Sequence, residues 1–304
     1  MELERAIQSF LQDVTARDLS RNTHKRYAAD LGDLALYLQS DSIVQIEQIT
    51  ADHLRAYFSA LHKRPNGHHP KASLSPFTIE GMYRTFKTFF RFCEYEEYFP
   101  ENPMARIRKP KLPNRLIMRL SEEEVAKVLE GAELTQSPER NLALLMLMVN
   151  NGLRRGEVLG LTIDNVHLGE NRIRVTGKGR KDRDVPLGEA STTAIRAWLA
   201  VRPVSLVENV FMNADGSAFQ AAGVRSLFQR LKIHAGLKRL YPHLLRHTFA
   251  KLYLKRVRDV KSLQQILGHS KASTTLDLYV EYDFDDLSAM HRDGSPVDAI
   301  KKLK

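Results

Sequence analysis

The sequence is poor in the features that define several common classes of protein. Its 304 residues include one cysteine and one tryptophan. A single cysteine, Cys93, cannot form an internal disulfide, which excludes the disulfide-stapled scaffolds of small secreted proteins. Cys93 lies in the apolar helical pattern FFRFCEYEEYF. We therefore expect it to pack as a small hydrophobic residue.

Long hydrophobic runs are missing as well. The longest apolar run covers Leu142–Val149, whereas a membrane-spanning helix needs roughly 20 apolar residues. The first residues, MELERAIQSFLQDV, carry acids early and lack the apolar core of a signal peptide. These absences predict a soluble protein of a reducing compartment, the cytoplasm, with no membrane partner.

Acidic residues are too few to balance the basic ones. The chain has 46 Lys and Arg against 36 Asp and Glu, a net charge of +10, and its isoelectric point is about 9.6. Such an excess favours a polyanionic partner, and nucleic acid is the first candidate. Charge alone is equally compatible with a basic protein that binds no polyanion.

Helix signals dominate the first hundred residues and then stop. Four helical segments are predicted before position 100, with Thr50 and Ser75 as N-terminal caps. The following stretch, NPMARIRKPKLPNRLI, is rich in proline and basic residues and has no sustained helical period. We interpret residues 1–101 as a helical domain, 102–117 as a linker and 118–304 as a second domain.

The second domain is predicted to be mostly helical around one small sheet. Ser121 and Glu124 have the spacing of a capping box at its first helix. In NRIRVTGKGRKDRDVPL the apolar residues alternate on both sides of a glycine-containing turn, as in a β-hairpin. The predicted fold class is therefore mainly α with a small β-sheet, in the α+β sense.

Several polar residues stand out in this second domain. They are Arg154 in GLRRGEVLGL, Lys178 in VTGKGRKDRDVPL, His243 and Arg246 in YPHLLRHTF, His269 in LGHS and Tyr279 in STTLDLY. Each one alone has an ordinary explanation, such as a surface arginine paired with Glu157, a solvated turn lysine or a histidine at a helix end. Together they would form a cationic site without a matching cluster of carboxylates.

The absence of other phosphate-binding motifs narrows the chemistry of such a site. The sequence has no GxxxxGK[ST] loop and no acidic cluster that could hold two Mg²⁺ ions. His243 and His247 have zinc-ligand spacing, but Arg246 between them would repel a cation and no HExxH glutamate is present. We predict no metal and no cofactor. Phosphate would be neutralised by guanidinium and ammonium groups, and a tyrosine could attack it.

The ordered set of motifs resembles the tyrosine recombinases, which include the Xer recombinases, phage and transposon integrases and, more distantly, Cre. GLRRGEVLGL, GKGRKDRDVPL, PHLLRHTF, LGHS and STTLDLY occur in the order and at the separations of that family. The helical segment that ends in FFRFCEYEEYFPENP is similar to its core-binding domain, so the resemblance covers nearly the whole chain. It implies a C-shaped, two-domain clamp on duplex DNA and a site-specific recombinase that works near the nucleoid.

The resemblance also implies a role for each matching residue. Arg154 and Arg246 would bind the scissile phosphate. His243 would hydrogen-bond to it and assist proton transfer, and His269 would add a further hydrogen bond. Lys178 would protonate the leaving 5′-hydroxyl, and Tyr279 would form a 3′-phosphotyrosyl bond. Glu157 would orient Arg154 or cap the chain locally, and His247 would pack structurally.

Two positions depart from the Xer pattern. His269 and Tyr279 are one residue further apart than in Xer proteins, which leaves Tyr282 as a second candidate nucleophile. The chain reads NNGLR where Xer proteins have TGLR, a change that keeps the glycine and the arginine.

The remaining expectations concern partners. The family implies a tetramer on two DNA sites, which could include a related recombinase subunit. Four linker cations are predicted to contact the DNA backbone: Arg106, Arg108, Lys109 and Lys111. The C-terminal stretch with Val297, Ile300 and Leu303 either docks on a neighbouring subunit or is solvated. Three alternatives stay open: a type IB topoisomerase, a catalytically silent DNA-binding protein and a metal-dependent phosphohydrolase.

Overall fold

The chain forms two compact units, Met1–Arg115 (unit 1) and Leu116–Lys304 (unit 2). A computed structural model describes residues 1–66, 69–113, 119–177, 181–268, 288 and 291–292. These residues are mainly helical, with one three-stranded sheet and a short two-stranded ladder, which confirms the predicted class. Within the same residues, no helix combines the length and the apolar character needed to cross a membrane.

Unit 1 is built from helices whose ends follow local capping chemistry. Ser75 Oγ accepts a hydrogen bond from the Thr78 amide (3.1 Å) and Thr50 Oγ1 accepts one from the His53 amide (3.3 Å), as predicted for both caps. The stretch after the third helix, which contains no apolar alternation, nevertheless pairs as two short strands. The described elements are α1 (Leu3–Ala16), α2 (Arg21–Ser40), α3 (Ala51–Lys63), β1 (Pro65–Asn66), β2 (His69–Ser73) and α4 (Pro76–Tyr95), with 3-10 turns at Ile46–Gln48 and Pro103–Arg106.

The core of unit 1 is aromatic. Phe10, Phe86, Phe89 and Phe90 are at most 1% exposed and pack with leucines from α2 and α3. Cys93 is fully buried beside them, which confirms its predicted packing role. Burial raises the pKa of its thiol far above the ordinary value, so Cys93 is an inert thiol in the folded chain.

The first half of the predicted linker is fastened to unit 1. Met104 is 4% exposed and joins the aromatic core. The Tyr83 hydroxyl donates to the carbonyl of Ile107 (3.2 Å), and Lys109 Nζ lies 3.2 Å from the Glu80 carboxylate. The chain therefore leaves the surface of unit 1 only after Lys109.

Unit 2 surrounds one buried helix. The helix Pro138–Val149 carries several fully buried apolar side chains and packs against the helices that precede and follow it. Antiparallel pairing builds the predicted hairpin and adds a third, short strand that the sequence did not signal. The described elements are α5 (Glu122–Glu133), α6 (Pro138–Val149), α7 (Arg155–Leu159), β3 (Val166–His167), β4 (Arg172–Thr176), β5 (Asp182–Pro186), α8 (Glu189–Val201), α9 (Ala221–His234), α10 (Pro242–Val257) and α11 (Val260–Leu267), with 3-10 turns at Ile163–Asn165 and Leu168–Glu170.

Candidate phosphodiester site

An open pocket in unit 2 brings together chain segments that are far apart in sequence. The start of α7, the end of β4 and the start of α10 meet there. Its lining residues are Arg154, Arg155, Gly156, Glu157, Thr176, Gly177, Tyr241, Pro242 and His243. The pocket is therefore lined by the beginnings of two helices, whose first backbone N–H groups have no partners within the helix.

Gly152 sets the path of the chain into this pocket. Its φ is +66°, and a Cβ atom added there would lie 2.3 Å from Phe249 Cδ1 and 2.8 Å from Leu267 Cδ2. Only glycine fits both the left-handed backbone and the close contact with α10. The turn delivers Arg154 to the N-cap of α7, with its side chain 31% exposed.

Glu157 is the buried acceptor around which the arginines are arranged. Its side chain is 4% exposed. It accepts hydrogen bonds from the Arg154 amide (2.8 Å) and Arg154 Nη1 (2.7 Å), and from Arg183 Nη1 (2.9 Å) and Nη2 (3.0 Å). Burial by itself raises the pKa of Glu157, but the donors from Arg183 and Arg154 outweigh it and hold the pKa below its ordinary value of 4.5.

Arg246 lies beneath the pocket and is 2% exposed. Its Nη1 donates to the carbonyl of Gly152 (2.6 Å) and lies 3.8 Å from Glu157 Oε2, while Nη2 donates to the carbonyl of Leu267 (2.8 Å). The guanidinium thus joins α10, the turn before α7 and the last residue of α11. It satisfies the carbonyl of Leu267, which the end of α11 leaves without a helical partner, and the carbonyl of Gly152 in the turn before α7.

The charge balance of this group is positive. Three arginines, Arg154, Arg183 and Arg246, share one carboxylate, that of Glu157. Two positive charges are left over close to the pocket. A phosphodiester carries one negative charge, and the transition state of its cleavage carries more, so the arrangement is suited to bind and activate a phosphate.

His243 adds a titratable group at the mouth of the pocket. It lies in the first turn of α10, where Pro242 occupies the first helical position, and it is exposed overall, although one side of it lines the pocket. Partial burial and the charges of Arg246, Arg154 and Arg155 lower the pKa of His243 from its ordinary value of 6.5. The imidazole is therefore neutral at pH 7 and able to accept a hydrogen bond or a proton.

Comparisons with known proteins agree over both units. The sequence profile described as the phage integrase family matches residues 118–285, and the profile described as the phage integrase N-terminal SAM-like domain matches residues 7–97. The chain belongs to the phage integrase family. It is 31% identical over 298 residues to the tyrosine recombinase XerC of Alcanivorax borkumensis, covering 95% of this chain and 93% of that protein. The chain is accordingly a site-specific tyrosine recombinase.

Solved structures show the same fold. The XerH recombinase bound to its difH substrate in a pre-cleavage complex is 25% identical, with a TM-score of 0.69 over 92% of this chain and 83% of that one. The integrase of transposon Tn1549 in complex with transposon right end DNA is 19% identical. Its TM-score is 0.76 over 97% of this chain and 100% of that one, a likeness of fold.

The structure places three of the six predicted site residues of this recombinase together. Arg154 and His243 line the pocket, and Arg246 lies directly beneath it. Lys178, His269, Tyr279 and the alternative Tyr282 lie outside the described residues, as does the C-terminal stretch around Ile300. The neighbours Gly177 and Gly268, which precede Lys178 and His269 in the chain, lie at the pocket and against Arg183 respectively.

The four linker cations belong to unit 1 and are exposed. Two of them already have acidic partners: Arg106 Nη2 lies 2.6 Å from Glu101 and Lys109 lies 3.2 Å from Glu80. For Arg108 and Lys111 no ion pair is found among the described residues. Their contact with DNA stays a prediction.

Reasoning from sequence missed two residues that support the elements around the pocket. Arg183 is two residues before Val185, so the period of the strand places it on the buried face, and an inward arginine requires a carboxylate partner. Asn151, the second asparagine of NNGLR, is 4% exposed; it donates to the carbonyl of Pro186 (2.7 Å) and accepts from Ser191 (2.7 Å). The strand alternation could have revealed Arg183, whereas nothing local indicated the partners of Asn151.

Proposed function

We propose that this recombinase cleaves and rejoins duplex DNA by transesterification through a covalent 3′-phosphotyrosyl intermediate. The observation that carries the proposal is the group of three arginines on one buried carboxylate beside a neutral histidine. That group neutralises phosphate with guanidinium groups, the means by which a protein can do so without a metal ion. The integrase of Tn1549, solved in complex with transposon right end DNA, and the XerH recombinase, solved bound to its difH substrate, support duplex DNA as the partner.

In the proposed reaction the Tyr279 hydroxyl attacks the scissile phosphorus. A bond forms between phosphorus and the tyrosyl oxygen while the bond to the 5′-oxygen breaks. The neutral imidazole of His243 takes up the proton of the Tyr279 hydroxyl, and Lys178 gives a proton to the leaving 5′-oxygen, which departs as a hydroxyl. His243 and His269 also hydrogen-bond to the phosphate. No external energy is consumed, because one phosphoester bond replaces another.

Arg154 and Arg246 act mainly on the transition state in this proposal. The phosphorane carries more negative charge than the diester, so a fixed cation gains more from it than from the bound substrate. Losing one such partner would cost on the order of 3–4 kcal/mol, or about a hundred- to thousandfold in rate. The buried position of Arg246 fits this role, because its guanidinium is already fixed by the carbonyls of Gly152 and Leu267.

The assembly belongs to the same proposal. Exchange of strands between two duplexes requires four cleavages, so four chains would act together on two DNA sites, with residues 1–101 as core-binding domain, 102–117 as linker and 118–304 as catalytic domain. A related recombinase could provide some of the subunits. Cytoplasmic DNA of the nucleoid would be the substrate.

The experiment uses a plasmid that carries two copies of a site selected from a random-sequence library by binding to the recombinase. Incubation in excess EDTA is expected to yield recombinant circles. Relaxed plasmid without recombinants would indicate a topoisomerase, and binding without either product would indicate a silent DNA-binding protein. Activity that returns only with Mg²⁺ or Zn²⁺ would contradict the proposed metal-free chemistry.

A further inference from the structure

All three guanidinium nitrogens of Arg183 donate hydrogen bonds to residues of two other elements. It lies in β5, and its side chain is 13% exposed. Nη1 and Nη2 donate to the two oxygens of Glu157 (2.9 and 3.0 Å), and Nε donates to the carbonyl of Ile266 (2.8 Å) in the last turn of α11. This planar fork therefore connects the β4–β5 hairpin, the start of α7 and the end of α11.

Gly268 shows how closely α11 ends on this side chain. A Cβ atom at Gly268 would lie 2.9 Å from Cδ, Nε and Cζ of Arg183, and the φ of Gly268 is +63°. Both the backbone conformation and the contact exclude a side chain at this position. The turn that leads to His269 thus lies directly against the Arg183 guanidinium.

Arg183 also determines how Glu157 holds Arg154. Because Arg183 occupies both carboxylate oxygens from one side, Arg154 is left to bind them with its amide and one nitrogen, Nη1. Nη1 also donates to the carbonyl of Leu267 (3.3 Å). All three guanidinium nitrogens of Arg183 are already bound to Glu157 and Ile266, so we expect Arg183 to affect a bound phosphate through these neighbours.

We propose that Arg183 is a positioning residue for DNA cleavage, which fixes Arg154 through Glu157 and holds the hairpin against the end of α11. The proposal rests on the proposed function, because it concerns the rate of that reaction. In the sequence, Lys178 comes two residues after the end of β4 and His269 two residues after the end of α11. One side chain therefore joins the two elements that precede these predicted site residues. A misplacement of about 1 Å in such a site can cost about a hundredfold in rate.

A purely structural ion pair would behave differently. It would stabilise unit 2, and its loss would lower the fraction of folded protein without changing the rate of a folded molecule bound to DNA. A positioning residue changes the rate at saturation while DNA affinity stays nearly constant. Arg183→Lys distinguishes a structural ion pair from a positioning residue. Lysine keeps the charge but cannot donate to both Glu157 oxygens and to Ile266 together.

Arg202 provides a matched control. It is a partly buried arginine of unit 2 whose guanidinium donates to the carbonyls of Val207 (2.7 Å), Asn209 (2.8 Å) and Val210 (3.3 Å) and which has no contact with Glu157. Arg202→Lys removes a comparable set of guanidinium hydrogen bonds to a loop outside the pocket. It should lower stability without altering cleavage at saturation.

The test measures three quantities for wild type, Arg183→Lys and Arg202→Lys. They are the single-turnover rate of covalent complex formation on a nicked duplex at saturating protein, the DNA affinity, and thermal unfolding followed by the fluorescence of the single tryptophan, Trp198, which is buried in unit 2. Arg183→Lys is expected to slow the rate about 10- to 100-fold with affinity within about twofold. A wild-type rate in Arg183→Lys would overturn the inference.

A second pair of variants tests the contact with Gly268. Gly268→Ala presses a methyl group on Arg183 and should slow cleavage by itself. In an Arg183→Gln variant the added methyl group meets fewer atoms. The rate loss of the double variant should therefore be smaller than the product of the rate losses of the two single variants. If the rate losses of the two single variants simply multiplied, the contact between Gly268 and Arg183 would have no part in positioning.

The outcomes separate this inference from the proposed function. A wild-type chain that forms no covalent complex on any selected site would overturn the proposed function, and the inference with it. A wild-type chain that reacts, together with an Arg183→Lys variant that reacts equally fast, would overturn only the inference.

Discussion

Glu157 is the residue on which the charge balance of the pocket depends. It is a buried carboxylate with hydrogen bonds from two arginines and a third arginine at 3.8 Å. Removing one partner of a buried charge group costs far more than the group contributes as a whole, because the remaining charges stay buried without compensation. The sequence placed Glu157 next to Arg154 on spacing alone, but it did not indicate that Arg183 and Arg246 converge on the same oxygens.

Glu157→Gln is expected to destabilise unit 2 by about 3 kcal/mol at pH 7. Since the folded-state pKa of Glu157 is lowered, its stabilising contribution is present above the ordinary value of 4.5 and is lost as the pH falls through the folded-state pKa. The difference between wild type and variant should therefore shrink below about pH 4.5. Denaturant unfolding, followed by Trp198 fluorescence at several pH values, measures this difference in the free energy of unfolding.

Glu122→Gln is the control for this substitution. Glu122 is an exposed acid of unit 2 paired with Arg256 at 3.1 Å, and such surface pairs contribute little. We expect a change within about 0.5 kcal/mol. A Glu157→Gln variant that is as stable as Glu122→Gln would show that the arginines do not depend on this carboxylate.

Gly152 is the second residue whose identity is dictated by the fold. Gly152→Ala should destabilise unit 2 by at least about 2 kcal/mol, because alanine is strained at positive φ and its methyl group would collide with Phe249. Gly169→Ala should change stability by less than about 0.5 kcal/mol, since Gly169 has no atom within 4 Å of an added Cβ. Equal unfolding midpoints for the two variants would contradict this account of the turn.

At the scale of elements, local chemistry predicted most of what is observed. The caps at Thr50, Ser75 and Ser121 and the hairpin alternation around Ile173 and Val185 all act within a few residues, and the structure has these helices and strands. The short ladder β1–β2 escaped prediction, because PNGHHPKAS has neither alternation nor strand-forming composition. The third strand, β3, is two residues long and gives no signal of its own.

The segment that follows α4 has tertiary contacts that its sequence does not indicate. Its prolines and basic residues predicted a linker, yet Met104 packs in the core of unit 1 and Lys109 lies against Glu80. Glu80 is buried and also binds Arg84 at 2.6 Å. The four linker cations are therefore not equivalent, because Lys109 must leave or share a carboxylate to neutralise a phosphate.

Lys111→Ala is expected to reduce the salt dependence of DNA binding by about 0.9 in the slope of log affinity against log salt, the amount for one phosphate contact. Lys109→Ala should reduce it by less, since Lys109 already has an acidic partner. Single-turnover cleavage at saturation should be unchanged in both variants. Binding titrations at four or more salt concentrations measure the slopes, and a larger loss in Lys109→Ala than in Lys111→Ala would contradict the distinction.

At the scale of the whole molecule, the site is a product of tertiary structure. Arg154 is at the start of α7, Arg183 in β5 and Arg246 near the start of α10. Their side chains meet at Glu157 and at the last carbonyls of α11. Periodicity predicted that these residues lie on helices and a hairpin. It did not predict which of them would meet, because packing between distant segments leaves no pattern in a short window of sequence.

The covalent bond between Tyr279 and DNA distinguishes the proposed reaction from every alternative that lacks a tyrosyl intermediate. Wild type, Tyr279→Phe and Tyr282→Phe are incubated with a nicked duplex that traps the cleaved strand, and the products are separated on a denaturing gel. We expect a protein–DNA adduct joined through a 3′-phosphate for wild type and Tyr282→Phe. Tyr279→Phe should form no adduct but should still bind the duplex. An adduct with Tyr279→Phe, or one joined through a 5′-phosphate, would contradict the proposed reaction.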